Sequence, residues 1–254
     1  MSNPGPWAID VVHVGTIPVL PLAGFIPGAP AGARLDVECF AFLLTGAMTT
    51  IVVDTGPHEA LAGAAGFTAV GDAAGALRTA LAARGRNERD VSAVVHTHLH
   101  YDHMQNDGLF PSAEIAVSER ELEAARRGGR EEFYVGLEAF CQQAGPRMRL
   151  LGDGTTLLAP GVEVVATGGH TAGHQAVVVQ TAGGPVCLAG DEVPLAINLL
   201  QPSQTGYHPA ATGQFLRRAR QLAWLVVPSH DPGLQYVQSI PSAAQIAAAG
   251  NQAR

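Results

Sequence analysis

Cysteine is scarce in this chain, with three residues, Cys39, Cys141 and Cys187, spread through 254. An odd number without CxxC spacing excludes a disulfide framework and a thiolate zinc knuckle. The three read instead as small buried apolar side chains in a reducing compartment. Charge is thin as well: 15% of residues carry it, the formal net charge is −7, and no block is rich in Lys or Arg. That excludes a broad phosphate-binding face, and with it nucleic acid as a partner. No run of about 18 apolar residues escapes Pro, Gly or charge, so no membrane span is expected. The opening MSNPGPWAID lacks the cationic start and apolar stretch of an export signal, and a cytoplasmic address is the expectation.

What is present suits one compact domain spanning 1–254. Hydrophobic residues make up 47%, with 30 glycines and 17 prolines. Nine short apolar segments rich in β-branched residues predict strands at 8–14, 38–44, 49–54, 92–97, 114–118, 162–167, 175–181, 185–191 and 223–229. Helical patterns lie at about 72–84, 118–127, 130–144, 209–222 and 242–249, with Asp72 and Ser118 placed as caps. Neighbouring strands early and interspersed helices later fit two sheets packed face to face with helices outside. Residues 15–33, rich in Pro and Gly yet carrying Leu20, Leu22, Phe25 and Ile26, predict a long irregular loop. It is either a lid over a site or an apolar cover for the core.

The chemistry concentrates in VVHTHLHYDH, residues 94–103. A strand ending near 97 puts the following residues on the loop at its C-terminal edge. His98 and His100 are two apart and point the same way in extended backbone, so both imidazoles can meet one ion. Asp102 and His103 diverge from each other and suit a second ion beside the first, which predicts a binuclear centre. Further donors stand where other apolar strands stop: His170 and His174 in VVATGGHTAGH, Asp191 in VCLAGDEV, and His230 in VVPSHDPG. Imidazole and carboxylate without thiolate suit zinc.

HTHLHYDH, GGHTAGH, LAGD and PSHD, in that order behind VVDTG at 52–56, resemble the metallo-β-lactamase superfamily over about 38–232. The resemblance implies an α+β, four-layer αβ/βα sandwich with two metals at one edge of its sheets. It makes His98, His100 and His170 ligands of the first metal, Asp102, His103 and His230 ligands of the second, and Asp191 the bridging carboxylate. By the same resemblance His174 and His96 stand behind the ligands, and Asp54 orients one of them. Two zinc ions are the expected cofactor, with other divalent metals able to serve.

The expected reaction is hydrolysis by a metal-bridging hydroxide, since zinc lowers the pKa of bound water from 15.7 to about 7. Asp102, Asp191 and Tyr207 are the candidate catalytic residues, Asp191 as a proton shuttle. The HTAGHQ continuation is most similar to the N-acyl homoserine lactonase branch, which implies a small lactone or ester as the partner. Homodimerisation stays open. One departure stands out: Pro194 occupies the position of the tyrosine that, in many such lactonases, hydrogen-bonds the lactone carbonyl. Tyr207 either replaces that tyrosine or packs. Leu20, Leu22, Phe25 and Ile26, with Leu195, Ile197, Leu199 and Leu200, are expected to line an acyl cleft, each buried methylene contributing about 0.8 kcal/mol. Rival readings are a glyoxalase II type thioesterase or other esterase, and an iron persulfide dioxygenase.

Overall fold

Alternation along the strands sorts this chain into layers. The structure, a computed structural model, describes residues 6–64, 66–128, 133–203 and 206–240. Six strands form the first sheet in sequence order: β1 (Ala8–Pro21), β2 (Arg34–Thr45), β3 (Thr50–Val53), β4 (Val91–Val95), β5 (Glu114–Ser118) and β6 (Met148–Leu151). β1 to β3 pair antiparallel, and β3 to β6 parallel. The second sheet holds β7 (Thr155–Ala159), β8 (Val162–Ala166), β9 (Gln175–Thr181), β10 (Gly184–Leu188) and β11 (Leu225–Val227), in the order β11-β10-β9-β8-β7.

Phe40, Phe42 and Leu44 of β2, with Ile51, Val53 and Val95, face Val164, Val177, Val179 and Leu188 of the second sheet. Their neighbours Ala41, Leu43, Val52 and Val94 face the other way. They pack against α2 (Ala73–Ala83), α4 (Glu119–Arg126) and α5 (Leu137–Ala144) through Leu77, Leu81, Leu122 and Phe140. On the far side Val165, Val178 and Cys187 cover Phe215 and Leu216 of α6 (Pro209–Gln221). Two short helices, α1 (Glu59–Ala64) and α3 (Tyr101–Met104), complete the elements used below. Helix, sheet, sheet, helix is the four-layer αβ/βα order that the resemblance implies. No helix among the described residues is long and apolar enough to cross a membrane.

All nine expected strands are present. β6 and β7 were not expected, and both are edge strands with little full burial. The expected loop at 15–33 is half strand: β1 runs on to Pro21, paired with Arg34, and takes up the irregular stretch with register shifts after His13 and Ile17. Of the expected helix at 130–144, residues 130–132 lie outside the described residues, and within 133–144 the α-helix begins at Leu137, because Gly136 lies in the left-handed region at φ 85° and breaks the helical path. The expected helix at 242–249 lies outside the described residues.

Candidate metal centre

Every proposed ligand lies just beyond the C-terminal end of a strand or in the short helix that follows it. β4 leads to His98, His100, and α3 with Asp102 and His103; β8 leads to His170; β10 to Asp191; β11 to His230. β3 delivers Asp54, whose left-handed backbone (φ 57°) turns its carboxylate back under the cluster.

Hydrogen bonds fix which imidazole nitrogen three of the histidines present. His103 donates from Nδ1 to Asp54 Oδ2 (2.8 Å), and His230 donates from Nδ1 to the Glu38 carbonyl (2.8 Å). The Thr97 hydroxyl donates to Asp54 Oδ2 (2.8 Å), so its oxygen accepts from His98 Nδ1 (3.1 Å). In all three rings the bare nitrogen is therefore Nε2. Asp54 thus orients His103 directly and His98 through Thr97, the role expected of it.

The ring nitrogens converge in two groups. His98, His100 and His170 bring one nitrogen each within 4.8 Å of one another. His170 Nε2 and His100 Nδ1 stand 3.2 Å apart, close to the roughly 3.4 Å between nitrogens that share one tetrahedral zinc at about 2.1 Å. In the second group, His230 Nε2 lies 3.0 Å and His103 Nε2 3.4 Å from Asp191 Oδ1, and both lie 3.6 Å from Asp102 Oδ2. Asp191 joins the groups, because its other oxygen, Oδ2, lies 3.4 Å from His170 Nε2. Nε2 of His98, His100 and His103 is buried without a hydrogen-bond partner among the described residues. A buried polar atom left unpaired costs about 1–3 kcal/mol. Divalent cations at these two points satisfy Nε2 of His98 and of His103, while His100 turns its other nitrogen, Nδ1, to the first point, and the donor set fits zinc.

The electrostatics divide along the same line. Burial, reinforced by neighbouring imidazoles, holds His98 and His100 well below the usual histidine range, ready as neutral ligands. Burial also opposes protonation of His103 and His230, but the carboxylates around them outweigh it and push both well above that range. This second group is where positive charge is most strongly favoured.

Two expected neighbours lie behind the ligands. His174 Nε2 accepts the Asp191 amide (3.1 Å) and its Nδ1 meets the Thr167 hydroxyl (2.7 Å), so the ring steadies the loop carrying Asp191. His96 meets Asp107 Oδ1 through Nε2 (2.9 Å) and belongs to neither ligand group. Tyr207 sits on the loop before α6, its amide donating to the His170 carbonyl (3.2 Å) and its ring 38% exposed.

The expected apolar cleft is only partly assembled. The β1–β2 tip does meet the segment after Asp191, since Asn198 Nδ2 donates to the Phe25 carbonyl (2.7 Å) and Ser203 to that of Gly24 (3.1 Å). Phe25 and Leu195, however, are buried in the core, and Leu199 packs toward α6. Ile197 and Leu200 are left exposed there.

Four residues escaped the sequence reading. Ser229 Oγ donates to Asp191 Oδ1 (2.7 Å). Cys39 lies beside Asp102 and His230. Glu121 and Glu192, both 1% exposed, grip the His170 loop from opposite sides. Glu192 accepts the amides of Gly169 (2.7 Å) and His170 (3.1 Å) and the Thr212 hydroxyl (2.5 Å). Glu121 accepts the Thr171 hydroxyl (2.6 Å), the Gly173 and Leu99 amides (3.1 Å each) and the Tyr134 hydroxyl (3.2 Å). The glycines are needed for the approach: a Cβ on Gly169 would stand 2.4 Å from Glu192, and one on Gly173 2.0 Å from the Glu121 backbone. Glu192→Ala is expected to weaken binding at the first site 10–100-fold, as loss of groups that orient ligands does. Competition with a chromophoric chelator reads that shift directly.

The family model of the metallo-beta-lactamase superfamily matches residues 34–230. The chain belongs to that superfamily. Its members among curated proteins include the human metallo-beta-lactamase domain-containing protein 1, 36% identical over 161 residues, 62% of this chain and 53% of that one. An N-acyl homoserine lactonase from Bacillus sp is 28% identical over 171 residues, 63% of this chain and 66% of that one. The chain thus spans between half and two thirds of the length of these relatives. Among solved structures, an N-acyl homoserine lactone hydrolase with N-hexanoyl-L-homoserine at its catalytic metal centre superimposes with a TM-score of 0.76 at 22% identity, covering 91% of this chain and 96% of that one. The dizinc lactonase AidC gives 0.69 at 17%, covering 90% and 89%. The fold is shared with these structures.

Proposed function

We propose that the chain is a dizinc hydrolase that opens a hydrophobic lactone, an N-acyl homoserine lactone above all, working as one domain of 254 residues in the cytoplasm. The observation that carries the two-metal reading is Asp191, which turns one oxygen to His170 and the other to His103 and His230. The lactone is supported by the relatives, among which lactonases recur.

His98, His100 and His170 would hold the first metal and Asp102, His103 and His230 the second, with Asp191 between them. Bound there, two zinc ions supply hydroxide at neutral pH and an electrophile for the carbonyl oxygen. Asp191, held by Ser229, the His174-steadied loop and the flanking imidazoles, is placed to carry the proton that the leaving alkoxide needs. Tyr207, tied to the His170 carbonyl, is our candidate for the hydroxyl that meets the substrate carbonyl in place of the tyrosine absent at Pro194.

Acid release from N-acyl homoserine lactones of short and long chain by zinc-reconstituted protein tests the proposal. Turnover is expected, with Tyr207→Phe lowering kcat/KM about tenfold, ~1.4 kcal/mol of barrier. A complete lack of turnover at two bound zincs per chain would exclude lactones and turn attention to thioesters. An unchanged Tyr207→Phe would remove that residue alone.

A further inference from the structure

Cys39 is the one thiol beside the cluster, and it comes from an element that contributes no expected ligand. It lies on β2 next to Glu38, whose carbonyl fixes the His230 ring. Its Sγ, an Asp102 oxygen and a His230 nitrogen lie within 4.8 Å of one another. One zinc bonded at about 2.3 Å to sulfur and about 2.1 Å to nitrogen or oxygen sets those donors roughly 3.6 Å apart in a tetrahedron and at most about 4.4 Å apart, so small side-chain movements bring the three donors onto one ion.

We propose that Cys39 is a sulfur ligand of the second metal, completing a set with Asp102, His103, Asp191 and His230. The inference rests on the two-metal reading above and adds a donor to it. Two independent observations point the same way. His103 Nε2, buried and without a hydrogen-bond partner among the described residues, faces the Asp102 and Asp191 oxygens at 3.6 and 3.4 Å, and Asp102 is shared with the Cys39 cluster. The thiol itself is 1% exposed, and its described contact besides the cluster is a long one, 3.8 Å, to the Val37 carbonyl. Coordination would release the thiol proton to solvent.

The consequence is chemical asymmetry between the two sites. The first would be all imidazole beyond the bridge, a borderline set. The second would carry a soft donor and so favour zinc, cobalt or cadmium over manganese or magnesium.

X-ray absorption at the zinc edge of the fully loaded protein, together with a cobalt(II) titration, tests this. The expected result is one sulfur scatterer at about 2.3 Å per two zincs. A sulfur-to-cobalt charge-transfer band should accompany one of the two cobalt equivalents. Both signals should vanish in Cys39→Ser and persist in Cys141→Ser and Cys187→Ser. Cys39→Ser should also weaken the second metal at least about tenfold. Two bound metals with no sulfur signal in the wild-type protein, which needs no variant to fold, would overturn the Cys39 assignment and leave the binuclear reading standing. A sulfur signal that survives Cys39→Ser would overturn it equally. Binding of a single metal would overturn the two-metal reading itself.

Discussion

Asp191→Ala is expected to bind no more than one metal and to lose at least about a thousandfold in kcat/KM, ~4 kcal/mol of transition-state stabilisation. The size of the effect follows from what one side chain holds together. Its two oxygens face opposite donor groups, and Ser229 fixes one of them. Without the carboxylate, His230 loses its nearest anionic neighbour, His103 loses one of three, and the two ligand groups lose their only shared residue among those proposed. Metal content by atomic emission, measured beside lactone or ester hydrolysis, checks both halves. If Asp191→Ala retained two metals and most of its activity, the bridging role would be excluded.

Asp54→Asn is expected to destabilise the metal-free protein by about 3–5 kcal/mol near pH 6, the range seen when one partner of a buried ion pair is removed. The carboxylate accepts the Thr97 amide and hydroxyl and His103 Nδ1, each at 2.8 Å, beneath both metal groups. Burial alone would raise its pKa, but His103 and His96 outweigh that and hold it far below the ordinary 3.8. A carboxylate depressed on folding contributes stability that is complete above the unfolded value and is lost as the pH falls through the folded one. His103 is shifted the opposite way, so its share is complete below its ordinary 6.5 and is lost as the pH rises through its higher folded value. The gap between wild type and variant should therefore be widest from about pH 4 to 6.5 and close in stronger acid. Urea unfolding of chelator-treated proteins from pH 3 to 8 checks the profile. A gap that does not change with pH would mean that charge at Asp54 contributes nothing to the fold.

The strands were legible because their apolar runs end abruptly at polar residues, and the metal centre was legible for the same reason. VVHT, VVAT, LAGD and VVPSH each stop at the sheet edge where the ligands gather. Short edge elements gave no such signal: in β6 and β7, Leu150 and Leu157 point to solvent, 46% and 60% exposed. The stretch at 15–33 misled because Pro and Gly there mark register shifts within a strand rather than an end to it. Cys39 was invisible for a different reason. It sits within a strand, ECFAFLL, that shows no ligand spacing, 63 residues before Asp102, and only the fold brings the two together. Glu121 and Glu192 carry no spacing that marks them in the sequence, and only the closing of the His170 loop over both shows their role.

The ligands are divided between the two sheets, His98, His100, Asp102 and His103 following the first and His170, Asp191 and His230 the second. Each metal would therefore stitch one sheet to the other at the open rim of the sandwich, between residues up to 128 positions apart along the chain, from Asp102 to His230. Loading the ions would act like fastening a clasp: the energy of coordination becomes energy of cohesion between halves that otherwise adhere through Val, Leu and Phe side chains. A cell that runs short of zinc would then lose more than catalysis, since the same shortage would unfasten the rim and offer proteases a looser chain.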